Sequence, residues 1–284
     1  MSDIARSYHQ GAALAQAALE RRPARRVSAF ASQGVLIAEG DSWFDYPLED
    51  VLESLEDEHG FEVESVAHLG DNLEDMAYDE KQLDRLTRVF QKVADRLGPG
   101  GAPRGVLLSG GGNDIAGGEF AMLLNHVKAA SAGLNPKVVD GLINERLREA
   151  AASLVGSVQG LAQACFGRPV RILIHGYGRP VPDGRGFWGG ALFLPGPWLE
   201  PGFRRKGYAD LGRNTTVMAS LIDGFNAMLA SLAAEMQSSG VDLRHVDLRP
   251  LFRNDAQYPL DWANELHPTR PAFKRVAAAF AAQL

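Results

Sequence analysis

A serine, a glycine-rich run and a histidine are the parts of this sequence that could do chemistry. Ser42 follows Gly40-Asp41, Asn113 stands in the run Gly110–Asp114 (GGGND), and His267 lies near the C-terminus. Serine hydroxyls and imidazoles are groups of nucleophilic catalysis, and glycine runs expose backbone N–H groups that bind anions. These residue types could therefore support nucleophilic catalysis or bind an anion.

Each segment taken alone also has a simpler interpretation. A serine after a strand is commonly a helix cap, and Ser42 is not in a G-x-S-x-G elbow because Phe44 stands two residues on. The glycine run lacks the lysine of a phosphate-binding loop, so a tight turn and a nest for phosphate both stay open. A lone histidine such as His267 more often caps or packs. Whether these residues lie close together depends on the fold.

The chain alternates between strand-like and helix-like segments. Five continuous aliphatic runs predict strands that are buried on both faces of a parallel sheet: 35–38, 61–66, 105–108, 170–175 and 243–246. Segments of helical period lie at 48–59, 71–97, 138–166, 215–239 and 271–284. We expect a three-layer α/β/α sandwich with a five-stranded parallel sheet of flavodoxin-like strand order 2-1-3-4-5.

The polar segments fall at one edge of such a sheet. Ligands of open α/β sheets bind at the carboxyl ends of the strands. The first predicted strand ends just before Ser42, the second near Gly70 and the third before Asn113. The fourth ends at His175, two residues before Tyr177. We therefore expect the unusual polar and glycine chemistry of the chain to gather at this edge.

The order of these blocks resembles the SGNH (GDSL) family of serine hydrolases. Four blocks carry the resemblance, which runs from about residue 35 to the C-terminus: GDSW at 40–43, LGDN around Gly70, GGND at 111–114 and NELHP at 264–268. Four blocks in order are far more specific than any one of them. The resemblance implies an ester hydrolase without metal or cofactor, whose substrate is a small-molecule ester with a small or medium acyl chain.

The resemblance also implies residue roles. Ser42 would attack the carbonyl carbon, and His267 would act as the general base that activates the serine hydroxyl. The oxyanion would be bound by the backbone N–H groups of Ser42 and Gly70 and by the Asn113 side chain. We expect glycine at position 70 because close backbone approach leaves no room for a Cβ atom.

One position departs from the family pattern. The residue three before the histidine is usually Asp, and here it is Asn264. Asn264 could orient His267 as a neutral helper, a neighbouring carboxylate (Glu265 or Asp261) could take that role, or the enzyme could be slow. We favour an active esterase. A carbohydrate deacetylase or an acyltransferase of the same family, and a non-catalytic binding module, are the alternatives.

A long insertion at 179–213 follows the fourth predicted strand. Its aromatic residues and its length predict a lid or the wall of an acyl pocket, with Phe187, Trp188 and Trp198 beside Tyr177 as substrate-binding residues. A satellite core or a subunit interface would explain the same aromatic residues.

The length, net charge and hydropathy of the chain predict its domain number, its partners and its location. Its 284 residues form one expected domain over 1–284, in which 1–30 would be a helix and a basic linker. A net charge of -6 argues against nucleic acid as a partner. No apolar run predicts a membrane span and the N-terminus lacks the apolar core of a signal peptide, so we expect a cytoplasmic protein. The scattered histidines predict no metal site.

Overall fold

The computed structural model describes residues 32–47, 49–187 and 196–284. The predicted N-terminal helix and basic linker of residues 1–30 lie outside the described residues, and so does Trp188.

A parallel sheet of five strands forms the centre of the fold. The strands are β1 (Val35–Gly40), β2 (Glu62–Ser65), β3 (Gly105–Ser109), β6 (Ile172–His175) and β7 (Leu243–Val246), in the order β2-β1-β3-β6-β7. Every residue of β1, β3 and β6 is buried, as expected for strands covered on both faces. The register pairs Gly40 with Ser109 and Ser109 with His175, so three strands end side by side.

Two further strands form a separate antiparallel ribbon, β4 (Leu124–Asn125) and β5 (Gly133–Leu134). The predicted order 2-1-3-4-5 is therefore matched in part. The five sheet strands keep the predicted sequence of positions, but the last two are the sixth and seventh strands of the chain. Strands of two residues are too short to give a hydrophobic period, which is why the sequence did not predict the ribbon.

Helices cover both sides of the sheet and confirm the α/β/α class. They are α1 (Val51–His59), α2 (Leu73–Tyr78), α3 (Glu80–Leu97), α4 (Gly112–Ile115), α5 (Pro136–Asp140), α6 (Arg148–Phe166), α7 (Glu200–Arg205), α8 (Leu211–Ser238) and α9 (Arg270–Ala281). A π-helical segment, Gly141–Leu147, joins α5 to α6. Single 3₁₀ turns lie at Phe120–Leu123, Arg249–Leu251 and Tyr258–Leu260. Helix α1 packs on α9, and α6 packs on α2, α3 and α8.

Several helix boundaries differ from the predicted ones, and at two of them an aspartate caps a new start. The predicted helix 71–97 is divided at Asp79, whose extended backbone ends α2 and whose side chain accepts from Gln82 N at 2.9 Å. Helix α8 begins at Leu211 rather than Thr215, since Asp210 accepts from Arg213 N at 2.6 Å. The insertion predicted over 179–213 therefore ends in helix, and it also contains α7.

Helix α8 has the length and apolar composition of a membrane span, which was not predicted from the sequence. Half of its most apolar window is buried inside the fold. Leu221, Phe225 and Leu229 on this helix are completely buried. A core helix meets the same criterion of length and composition, so this is a weak indication of a membrane span.

The close pairing of β1 with β3 makes Gly40 sensitive to substitution. A Cβ atom there would lie 2.8 Å from both Phe44 Cδ2 and Ser109 Cβ. We expect Gly40→Ala to lower the free energy of unfolding in urea by about 1–3 kcal/mol, because two close-packed neighbours must move. Gly156→Ala is the matched control: it lies in α6 with no atom within 4 Å of its Cβ position. It should raise stability by about 0.5–1 kcal/mol. Equal effects of the two substitutions would contradict this packing.

Candidate active site

Ser42 and His267 meet at the carboxyl edge of the sheet. Ser42 follows β1, His267 precedes α9, and Ser42 Oγ lies 2.8 Å from His267 Nε2. Both residues are buried. The indole of Trp43, next to the serine, donates to the Leu266 carbonyl, next to the histidine, at 3.0 Å. This bond joins two loops that are more than 200 residues apart in sequence and fixes the serine relative to the imidazole.

Asn264 orients the imidazole. Its Oδ1 lies 3.0 Å from His267 Nδ1 and accepts the backbone N–H groups of Leu266 and His267, each at 2.9 Å. Two backbone donors face this atom, so it must be the amide oxygen and not the nitrogen. The ring proton of His267 therefore lies on Nδ1, which leaves the lone pair of Nε2 facing Ser42. This is the tautomer that can accept the proton of the serine hydroxyl.

The two neighbouring carboxylates have other partners. Asp261 accepts from the backbone N–H of Arg253 at 2.8 Å and from the Arg275 guanidinium at 2.6 Å. Glu265 is fully buried and accepts four backbone N–H groups, those of Gly184, Trp198, Leu199 and Glu200, at 2.6–3.0 Å. Of the three candidates that the sequence left open, only Asn264 contacts the imidazole.

Two aromatic side chains enclose the imidazole. Tyr46 stacks on the His267 ring with 4.3 Å between centroids and 24° between planes, and Trp198 meets the ring edge to face at 5.5 Å. Burial lowers the pKa of His267 to about 3. The imidazole is therefore neutral at neutral pH, which is the state in which it can act as a base.

The predicted oxyanion donors lie in two loops that contact each other. Asn113, in α4, donates one amide proton to the carbonyl of Asp71 at 2.8 Å, which leaves its second N–H for another acceptor. Gly70 precedes that carbonyl and has φ +92°. A Cβ atom at Gly70 would meet no protein atom within 4 Å. The expected crowding by the protein is therefore absent, and the left-handed backbone is what requires glycine here.

A small cavity of about 40 Å³ lies beside Ser42. Ser42, Asn113 and Tyr177 line it together with apolar side chains from several elements: Ile115, Ala116, Leu199, Met218 and Ile222. Of the three predicted substrate-binding residues that the structure describes, Tyr177 is the one in this lining. Phe187 packs on Tyr46, at 5.7 Å between ring centroids, rather than on the cavity. Helix α8 supplies Met218 and Ile222, which no local sequence signal distinguished from core residues.

A buried network of polar side chains lies next to Ser42 and holds its neighbour Asp41. Asp41 accepts from Ser109 Oγ at 2.7 Å and from the Tyr177 hydroxyl. His175 Nδ1 accepts the Tyr177 N–H at 3.3 Å, so His175 Nε2 donates to Ser109 Oγ at 2.8 Å. Burial raises the pKa of Asp41 to about 6 and lowers that of His175 to about 3. The Tyr177 hydroxyl is already hydrogen-bonded, so Tyr177 lines the cavity with its ring.

Within the described ranges, no group of three metal-ligating side chains occurs.

The four N–H groups bound by Glu265 hold the insertion against the histidine loop. In Glu265→Gln an NH₂ group replaces one acceptor oxygen, so buried donors lose their partner. We expect the free energy of unfolding to fall by about 1–3 kcal/mol. We also expect faster hydrogen exchange at the amides of Gly184, Trp198, Leu199 and Glu200.

Glu200→Gln is the control, because its carboxylate pairs with a largely exposed Arg204 in the same segment. It should leave the exchange of these amides unchanged. Unaltered exchange in Glu265→Gln would contradict the anchoring role of Glu265.

Comparison with known proteins finds similarity in structure and none in sequence. No protein-family model matches the chain, and no curated protein sequence matches it. Among solved structures, a GDSL-like lipase from Bacteroides thetaiotaomicron is 12% identical, with a TM-score of 0.42, over 88% of this chain and 86% of that one. A family 3 carbohydrate esterase from Clostridium thermocellum is 13% identical, with a TM-score of 0.47, over 88% and 94%. A catalytic mutant of an acetylxylan esterase from Geobacillus stearothermophilus is 15% identical, with a TM-score of 0.44, over 89% and 95%.

At such identities a structural likeness does not transfer residue roles, which therefore depend on this chain's own contacts. The solved structures that the chain matches include members of the family that the four sequence blocks resemble. Many of these are SGNH hydrolases, GDSL-like lipases and acetylxylan esterases.

Proposed function

We propose that this protein is a serine esterase that cleaves carboxylic esters with a small acyl group. The observation that carries the proposal is the chain of two hydrogen bonds from Ser42 Oγ to His267 Nε2 and from His267 Nδ1 to Asn264 Oδ1. A purely structural histidine would not need its free lone pair directed at a serine that lines a cavity. The same contact argues against a non-catalytic binding module.

The geometry supports a double-displacement reaction. Ser42 Oγ attacks the ester carbonyl carbon while His267 Nε2 takes the hydroxyl proton, and a tetrahedral oxyanion forms. The free N–H of the Asn113 side chain and the backbone N–H groups of Ser42 and Gly70 would donate to this oxyanion. His267 then returns the proton to the departing alcohol, which leaves an acyl group on Ser42. A water molecule, activated by the same imidazole, hydrolyses the acyl-enzyme.

The size of the cavity supports a short acyl chain. A volume of about 40 Å³ with apolar walls fits an acyl group of two or three carbons better than a fatty-acid chain. Tyr177 would contact the acyl group, whereas Trp198 and Phe187 would border the alcohol side from the insertion. Deacetylation of a carbohydrate and acyl transfer to another acceptor would use the same groups, so the leaving alcohol and the acceptor have to be found by substrate screening.

The nucleophile is tested by covalent labelling. We expect a fluorophosphonate probe to label the native protein and to leave Ser42→Ala unlabelled, with hydrolysis of p-nitrophenyl acetate lost in parallel. Ser109→Ala is a control for a serine in the supporting network, and it should still be labelled because the Ser42 hydroxyl is intact. Turnover should fall from acetate to octanoate esters. Equal labelling of native protein and Ser42→Ala would contradict the assignment of the nucleophile.

The neutral partner of His267 predicts an unusual pH profile. The pKa of His267 is lowered to about 3 by burial, so the basic form is present throughout the neutral range and is lost only in strong acid. In Asn264→Asp, a carboxylate stabilises the imidazolium and raises this pKa by roughly 1–3 units. The acid limb of kcat/KM should therefore move to higher pH in Asn264→Asp. Asn254→Asp adds the same charge at an exposed site and should not move it. An unmoved limb in Asn264→Asp would contradict the contact between residue 264 and the imidazole.

A further inference from the structure

The proposed reaction requires His267 to carry a positive charge in its transition state. The imidazole becomes imidazolium when Nε2 takes the proton of Ser42. A carboxylate partner would stabilise that charge, but Asn264 contributes only an amide dipole. Four described side chains bond to or stack on the ring, and none of them carries a charge: Ser42, Tyr46, Trp198 and Asn264. Some other feature of the site must offset the cost of a buried cation.

Tyr46 is placed to do so. It stands four residues after Ser42 and presents its ring nearly parallel to the imidazole, at 4.3 Å between centroids. Its hydroxyl oxygen accepts from Asn264 Nδ2 at 3.1 Å. Tyr46 thus contacts both His267 and the residue that orients it. Phe187 and Phe273 pack on the Tyr46 ring at 5.7 and 5.8 Å, which holds its face against the imidazole.

The face of an aromatic ring carries partial negative charge. It attracts a cation whose centre lies within about 6 Å, and the attraction is stronger where water is excluded. His267 is buried and Tyr46 is half-buried, so little water screens this pair. Burial also raises the pKa of Tyr46 to about 12, so the phenol stays neutral and the ring acts through its π face. The stacking would be weak for the neutral imidazole and stronger for imidazolium.

We propose that Tyr46 is a positioning residue of this reaction, whose ring face stabilises the imidazolium form of His267 and whose hydroxyl holds the Asn264 amide. The aromatic contact takes over part of the role that a carboxylate would have at position 264. This inference rests on the proposed function, since it concerns the charge that His267 gains as a general base.

The test varies the charge on the ring face at nearly constant size. Tyr46→Phe removes the hydroxyl and keeps the stack, and replacement by mono-, di- and trifluorinated phenylalanine then weakens the ring face stepwise. We expect kcat and kcat/KM for p-nitrophenyl acetate to fall together across the series, by roughly three- to tenfold in total, with KM unchanged. The same series at the exposed Tyr78 is the control and should leave both constants unchanged. A flat series at position 46 would overturn the proposal.

A second arm asks whether the ring and the missing carboxylate share one role. In the Asn264→Asp background a carboxylate already stabilises imidazolium, so the fall across the fluorinated series should be shallower. A ring that only packs would give equal slopes in both backgrounds, and equal slopes would overturn the proposal.

A third arm separates this inference from the esterase proposal. If no Ser42-dependent turnover is found, the pKa of His267 is measured by NMR in a double variant that combines Ser42→Ala with Asn264→Asp. The groups that face the ring are then the introduced carboxylate, the side chain at position 46 and Trp198. Fluorination at position 46 should lower the pKa of His267 by roughly 0.2–0.5 unit, which corresponds to a change of about 1.5- to threefold in its protonation equilibrium, because the introduced carboxylate already stabilises imidazolium. An unchanged pKa would overturn the role of Tyr46 regardless of activity.

Discussion

The hydrogen bond from His267 Nδ1 to the Asn264 amide oxygen is the constraint on which the rest of the site depends. Two backbone N–H groups of the same loop bind that oxygen, so the loop itself fixes the tautomer of the histidine. Nε2 is then left to face Ser42. The imidazole is neutral because burial lowers its pKa and because its partner carries no charge that would favour imidazolium. Among the described residues no carboxylate contacts the imidazole, and the Tyr46 ring lies against its face.

The same loop also connects the site to the insertion. Glu265, next to Asn264, gathers four backbone N–H groups from the insertion and places Trp198 against His267. The aromatic cover contributes to the burial that lowers the pKa of the imidazole, since desolvation is the cause of that shift. Orientation of the histidine and enclosure of the site are therefore achieved by neighbouring residues of one turn. A change in the insertion should alter the environment of the base as well as access for substrate.

The sheet, and the gathering of the four sequence blocks at one of its edges, could be predicted because the signals lie within short segments of the sequence. Continuous aliphatic runs mark buried strands, and residues that follow parallel strands must share one edge. The carboxylate of Glu265 was considered only as a partner of His267, since nothing in the sequence shows that four N–H groups from residues 184–200 meet it. The role of Tyr46 was missed for the same reason, since Tyr46 and His267 are far apart in the sequence and meet only in the fold. The observed helix ends differ from the predicted ones where a single aspartate caps the helix, as at Asp79. Trp188 lies outside the described residues, and its predicted role stays a prediction.

The central claim is that Ser42 carries an acyl group during turnover. The most direct measurement is mass spectrometry of the protein quenched in acid during hydrolysis of p-nitrophenyl acetate, followed by mapping of the modified peptide. We expect a mass increase of one acetyl group on the peptide that contains Ser42, and its absence in Ser42→Ala. Turnover without any adduct on that peptide, or an adduct that persists in Ser42→Ala, would contradict the claim.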